Sequence, residues 1–174
     1  MIDRPEESEF HPFYKEYISL VKGDVLVALE AQPKELTELA RSVSPDQETF
    51  RYDPGKWTVR EVLGHVTDGE RVFGHRAFCI GRGEKASLPG FDENSYVAEG
   101  HFDERPLADL VGDFSILRES NLRMLRSLGP RGFERVGTAN GNPVSVRAIA
   151  FIMAGHVLHH LGVLRSRYRI GRGA

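Results

Sequence analysis

SVRAIAFIMAGHVLHHLGVLRSRYR, from Ser145 to Arg169, is the stretch whose reading decides the fold. Val146, Ile149, Ile152, Met153, Val163 and Leu164 recur three and four residues apart, which puts them on one face of a helix. Ser145 stands where a hydroxyl can cap the first turn. Arg165, Arg167 and Arg169 place positive charge in the last turn, where the helix dipole favours it. His156 and His160 fall inside the apolar stripe, one turn apart on the same side. An unpaired imidazole is costly in a core, so two stacked on a buried face need a shared partner, and a metal ion is the simplest. His159, at the edge of the stripe, is the alternative partner for His156 at i,i+3.

Working outward, three more helices are expected. Thr58 and Glu61 make a capping box, with Trp57 placed to staple the first turn. Val62, Leu63, Val66, Phe73, Ala77 and Ile80 follow as an apolar face, closed by Gly81 and Gly83. His65 lies on the edge of that face with Gly69 one turn on, and His75 points the other way. A mid-helix glycine costs about 1 kcal/mol against alanine, so Gly69 is read as leaving room for something. Before this helix, Leu29, Leu36 and Val43 keep one phase from the Asp24 cap to Ser44, across Pro33, which predicts one kinked helix. A further helix spans Pro106 to Leu128.

Between the second and third helices, Gly83 to Arg105 is a long connection, with one helical turn expected over Asn94–Glu99. Thr138 to Pro143, around Asn140-Gly141, reads as the turn of a small hairpin. Met1 to Gly23 is a leader packed on the body through Tyr14, Tyr17, Ile18 and Leu20. The expected fold class is all-α: a four-helix bundle with a long crossover between helices 2 and 3, forming one domain over residues 1–174. A connection of that length predicts that the second and third helices run parallel and the fourth antiparallel to the second.

Composition narrows the function. A net charge of −2 on 174 residues leaves no electrostatic footprint for nucleic acid or an anionic membrane. The longest apolar run, Ala148 to Ala154, is too short to cross a bilayer. The single cysteine, Cys79, fits a reducing compartment, and with no signal-like segment at the start a cytoplasmic protein is expected. Cys79 is read as a core residue, with no cationic partner at helical spacing. No Ser-His-Asp or Cys-His arrangement and no phosphate-cradling glycine loop competes for the chemistry.

The histidines do carry chemistry. His65 lies about seven residues from the start of its helix, and His156 and His160 about thirteen and nine from the end of theirs. At about 1.5 Å per residue those depths match if the two helices are antiparallel. One histidine from one helix and two from its neighbour would then converge at one level of the bundle. Three neutral imidazoles with an open fourth position form a catalytic-type zinc site, at which a water or thiol would react. Nickel, iron and manganese are the alternatives to zinc. His159, Asp68, Arg76 and Asp92 are the candidates for residues backing the ligands or lining the pocket. Asp68 and Glu70 otherwise read as surface charges, and His11, His75 and His101 as solvated.

Lys56-Trp57-Thr58-Val59, Glu61-Val62-Leu63-Gly64-His65 with Asp68 and Glu70, Leu88-Pro89-Gly90-Phe91-Asp92, Gly137-Thr138-Ala139-Asn140-Gly141 and Gly155-His156-Val157-Leu158-His159-His160 together resemble the DinB-like superfamily, and within it the YfiT-like branch of metal-dependent hydrolases and thiol transferases. The resemblance runs from Tyr17 to Tyr168, with the motifs in the family's order. It implies a four-helix bundle whose second helix gives one metal-binding histidine and whose last gives two, here His65, His156 and His160. It also implies a homodimer and transfer of a low-molecular-weight thiol, such as bacillithiol or mycothiol, to an electrophilic substrate. Metal-dependent hydrolysis and a non-catalytic, metal-stabilised binding module are the alternatives. The chain departs from the family pattern at Pro33, Gly69 and Gly74.

Overall fold

Local signals open the four long helices where the sequence places them. In the computed structural model, which describes residues 2–171, two short turns at Glu7–Glu9 and Pro12–Tyr14 lead into α1 (Lys15–Leu20). Met1 and residues 172–174, the ends of the expected domain, lie outside the described residues. Ile18 of α1 is buried, whereas Leu20, expected to pack, is exposed. Asp24 then caps α2 (Val25–Arg41), its carboxylate accepting from Leu26 N at 2.8 Å. The helix runs on through Pro33. Ser44, expected only to end a helix, also starts one: with Gln47 it forms a capping box for the short α3 (Pro45–Glu48).

Thr58 and Glu61 cap α4 (Val59–Gly81) reciprocally, at 3.0 Å from Glu61 N to the hydroxyl and 2.7 Å from Thr58 N to the carboxylate. The long connection carries α5 (Glu93–Glu99) and delivers the chain to α6 (Leu107–Ser127). After the short α7 (Gly129–Phe133), strands β1 (Val136–Ala139) and β2 (Asn142–Ser145) form the small antiparallel hairpin. Its two-residue turn needs left-handed backbone at both positions, and Asn140 and Gly141 supply it at φ 51° and 73°. Ser145 Oγ accepts from Ala148 N at 3.0 Å to start α8 (Val146–Ser166). Leu88 in the connection bonds to Thr138 and Asn140, so the crossover is stitched to the hairpin.

Contacts fix the directions. Thr67 meets Leu110, Glu70 meets Arg118 and Gly81 packs on Leu128, so α4 and α6 are parallel. Trp57 meets Tyr168 while His65 meets His160 and Gly69 meets His156, so α8 is antiparallel to α4. This is the arrangement that the long crossover implies. α8 is long and apolar enough to cross a membrane by composition alone, but 72% of its most apolar window is buried inside the bundle. Its apolarity is that of a central core helix. α1 crosses it at Gly155, where a Cβ would collide with the backbone carbonyl of Tyr17.

Candidate metal centre

His65 comes from α4, and His156 and His160 from successive turns of α8. Nε2 of His156 lies 2.9 Å from Nε2 of His65 and 3.1 Å from Nε2 of His160. His65, His156 and His160 are 7%, 5% and 8% exposed. Burial holds His65 down to about 4 and pushes His156 and His160 well below the ordinary histidine value, with the neighbouring imidazoles adding to it. All three are therefore neutral, with lone pairs free to donate.

Hydrogen bonding alone does not satisfy this arrangement. Each ring nitrogen of a neutral imidazole has one site, either a proton or a lone pair. Nε2 of His156 faces two other Nε2 atoms at once, so only one of those contacts can be a good hydrogen bond. A cation at the common point turns all three lone pairs to use. Two nitrogens each on a tetrahedral zinc at about 2.0–2.1 Å sit ~3.3 Å apart, close to what is observed. The donor set thus fits a divalent ion.

Gly69 explains itself here: a Cβ would come within 2.7 Å of Cε1 of His156, so the glycine makes room for that ring. The Trp57 ring, 4.6 Å from that of His65, and the Tyr17 ring, 5.7 Å from that of His156, wall the site. Neither follows from helical periodicity, because each reaches the site from outside the two helices that carry the three histidines.

The remaining sequence candidates divide. His159 is half-buried beside Tyr17 and stands apart from the three converging nitrogens, so the i,i+4 pairing of His156 with His160 is the one the structure brings together. His159 and His160 line a cavity of about 270 Å³ with Trp57, Lys56 and Tyr168. Asp68 pairs with Arg71 at 3.1 Å and does not join the three histidines. Asp92 is exposed and caps α5, accepting from Asn94 N at 2.9 Å; it backs no ligand. Arg76 is buried in the wall of a second cavity. Cys79 is only partly buried and does have a neighbour at helical spacing, His75, whose Nε2 is 3.3 Å from the sulfur. Burial raises its thiol, which disfavours the reactive thiolate.

Glu70 is the largest correction. Read as a surface charge, it is buried and locked to Arg118 of α6 by two bonds of 2.9 and 2.8 Å. Arg118 also donates to Gln32 at 2.6 Å and to the Leu29 carbonyl at 3.1 Å. Asn121 donates to Glu70 at 2.7 Å, and Gln32 donates to the Ala154 carbonyl at 2.7 Å. This layer ties α2, α4, α6 and α8 together beside the histidines.

The model of the DinB superfamily matches residues 28–164. The chain belongs to the DinB superfamily. Among solved structures, this DinB chain is similar to one described as "YfiT from Bacillus subtilis is a probable metal-dependent hydrolase with an unusual four-helix bundle topology", at a TM-score of 0.77 and 19% identity over 97% of this chain and 93% of that one. At that identity the likeness shows the fold. No curated protein matches the chain.

Proposed function

We propose that this DinB-superfamily chain is a metal-dependent enzyme that holds a divalent ion, zinc in the first instance, on His65, His156 and His160, and activates a low-molecular-weight thiol for transfer to an electrophile. The observation that carries the reading is the convergence of three buried, neutral Nε2 atoms on one point. An ion held there would act as a Lewis acid, lowering the pKa of a thiol or water in its open position. The imidazoles bring no negative charge, so they leave that acidity undiminished. Trp57, Tyr17 and Phe73 keep water from the ligands, and the cavity beside His159 and His160 gives a small molecule its approach.

The carboxylates favour a thiol over water. Among the described residues none joins the three histidines; Glu70 is spent on Arg118, and Asp68 on Arg71. A thiol of pKa about 8.5 needs far less help to lose its proton than water does. Hydrolysis is the second reading, supported by the description of YfiT. A module in which the ion is only structural would have the fourth position closed by a protein carboxylate or sulfur. A cytoplasmic homodimer belongs to the same proposal, and gel filtration tests its assembly.

The deciding experiment measures thiol consumption with a panel of small thiols and a generic electrophile, before and after chelation and zinc re-addition. His160→Ala is expected to abolish metal binding and activity together, and His75→Ala to leave both intact. Turnover surviving complete metal removal refutes the mechanism. Metal-dependent ester or amide cleavage without thiol replaces it with hydrolysis.

A further inference from the structure

Among the described residues two arginines are buried, and they are treated differently. Arg118 has a carboxylate, an amide and a carbonyl. Arg76, 5% exposed, makes one hydrogen bond among the described residues, from Nη2 to the Pro89 carbonyl at 2.9 Å, and no carboxylate pairs with it there. Taking an unneutralised charge out of water costs several kcal/mol. A fold that keeps this one has a use for it.

Arg76 lines a cavity of about 370 Å³, within the ~300–1,000 Å³ range of small-molecule sites. Its guanidinium lies 5.9 Å from the ring centres of both Phe73 and Phe91, which hold it in place as apolar walls. Asn140 and Asn142, at the hairpin turn, add amides to the same cavity, and Ile152 adds an aliphatic side. Phe73 is also the wall toward the histidines, its ring 5.7 Å from that of His156, and Ile152 is one turn before His156 on α8. The cavity therefore abuts the metal centre on the side away from His160.

We propose that this cavity is an anion subsite that takes a small carboxylate with an apolar body, its carboxylate on the fork of Arg76 and its body between Phe73, Phe91 and Ile152. A guanidinium with four of its five N–H groups uncommitted to protein matches two carboxylate oxygens side by side. The single cation and the carboxylate of Glu93 in the same lining disfavour a dianion such as a phosphate monoester. That the bound carboxylate is the electrophilic substrate, with the thiol approaching from the His160 side, rests on the function proposed above; the anion site itself does not.

The test is a titration of chelator-treated full-length protein with phenylacetate, phenylacetamide and phenylphosphonate at pH 8.5. Phenylacetate is expected to bind at least about tenfold more tightly than its neutral amide, a difference of ~1.4 kcal/mol, and more tightly than the phosphonate dianion. Arg76→Gln should bring phenylacetate down to the level of the amide, Arg76→Lys should retain part of the difference, and His160→Ala should leave it unchanged. The comparison of acid with amide on the unmutated protein stands whether or not a variant folds. Equal affinities for acid and amide, no binding of the acid, preference for the phosphonate, or indifference to Arg76→Gln overturns the proposal. Carboxylate binding without metal-dependent turnover sinks the proposed function and leaves the anion site standing. Turnover without carboxylate discrimination does the reverse.

Discussion

Around Gln32, Glu70, Arg118 and Asn121 every buried side-chain nitrogen and oxygen has a partner; little more than one turn away along α4, at His65, the ring nitrogens of three histidines face one another and Nδ1 of His160 has none. Both layers lie in the same core. In the first, charges of opposite sign and complementary forks close on each other, so nothing remains to bind a ligand. In the second, three neutral imidazoles converge and no acceptor answers them among the described residues, which is the arrangement that the proposed cation would complete. The contrast separates polar groups that specify the fold from polar groups held ready for a ligand, and burial alone does not make that distinction.

Pro33 belongs to the first layer. Lacking an N–H, it leaves the carbonyl of Leu29, four residues back, without its helical partner. Nη1 of Arg118 takes that carbonyl at 3.1 Å. The proline that looks like a defect in α2 frees the acceptor that helps to seat a buried arginine from α6.

The largest expected effect breaks the sealed layer. Arg118→Leu or Glu70→Leu alone leaves one charge buried without its partner and should cost about 3–5 kcal/mol in urea unfolding. The double variant should recover most of that loss, because two apolar groups leave no charge behind. Single variants costing less than about 1 kcal/mol would mean that water reaches the pair and that the layer is not sealed.

Next in size is the ligand-dependent layer. Zinc at about a hundredfold over its Kd should stabilise chelated wild-type protein by ~2.7 kcal/mol. His160→Ala should lose that response. Without metal, it should stay within about 1 kcal/mol of chelated wild type, since the lost packing is offset by removal of an unpaired buried nitrogen. If His160→Ala is as damaging without metal as Arg118→Leu, the histidines are a structural cluster and the comparison fails.

The sequence shows these two layers unequally, for physical reasons. Caps at Asp24, Thr58 and Ser145 are local, so the helix starts are legible within a few residues. The directions of α4 and α6 follow from the length of the chain between them. The histidines are legible because two sit on one apolar stripe and the depth of the third matches. Glu70 and Arg118 are single charges on separate helices, forty-eight residues apart, and nothing local announces that they meet. Asp92 was legible as a cap, since Asn94 and Ser95 follow it; starting the helical turn at Asn94 hides that role. Arg76 is ambiguous because a long aliphatic stem reads the same whether its head reaches water or ends in a cavity.

The smallest effect tests the same fork of glutamate and arginine near the surface. Glu9, partly buried in the N-terminal segment, accepts from Arg147 at the start of α8, with Nε at 2.7 Å. The bonds from Arg147 outweigh burial and lower the Glu9 carboxyl from its ordinary 4.5 to about 2. A depressed carboxyl contributes its full stability above the unfolded value and loses it as pH falls through the folded one, here from about 4.5 to about 2. Solvent screens this pair, so wild type should exceed Glu9→Gln by less than ~1 kcal/mol at pH 6. Denaturant unfolding at pH 6, 4 and 2 should show that margin shrinking toward zero as Glu9 becomes protonated. A margin that holds at pH 2 would mean that packing of the N-terminal segment on α8, and not charge, carries the difference. A margin at pH 6 as large as that of Arg118→Leu would erase the distinction that burial draws between the two forks.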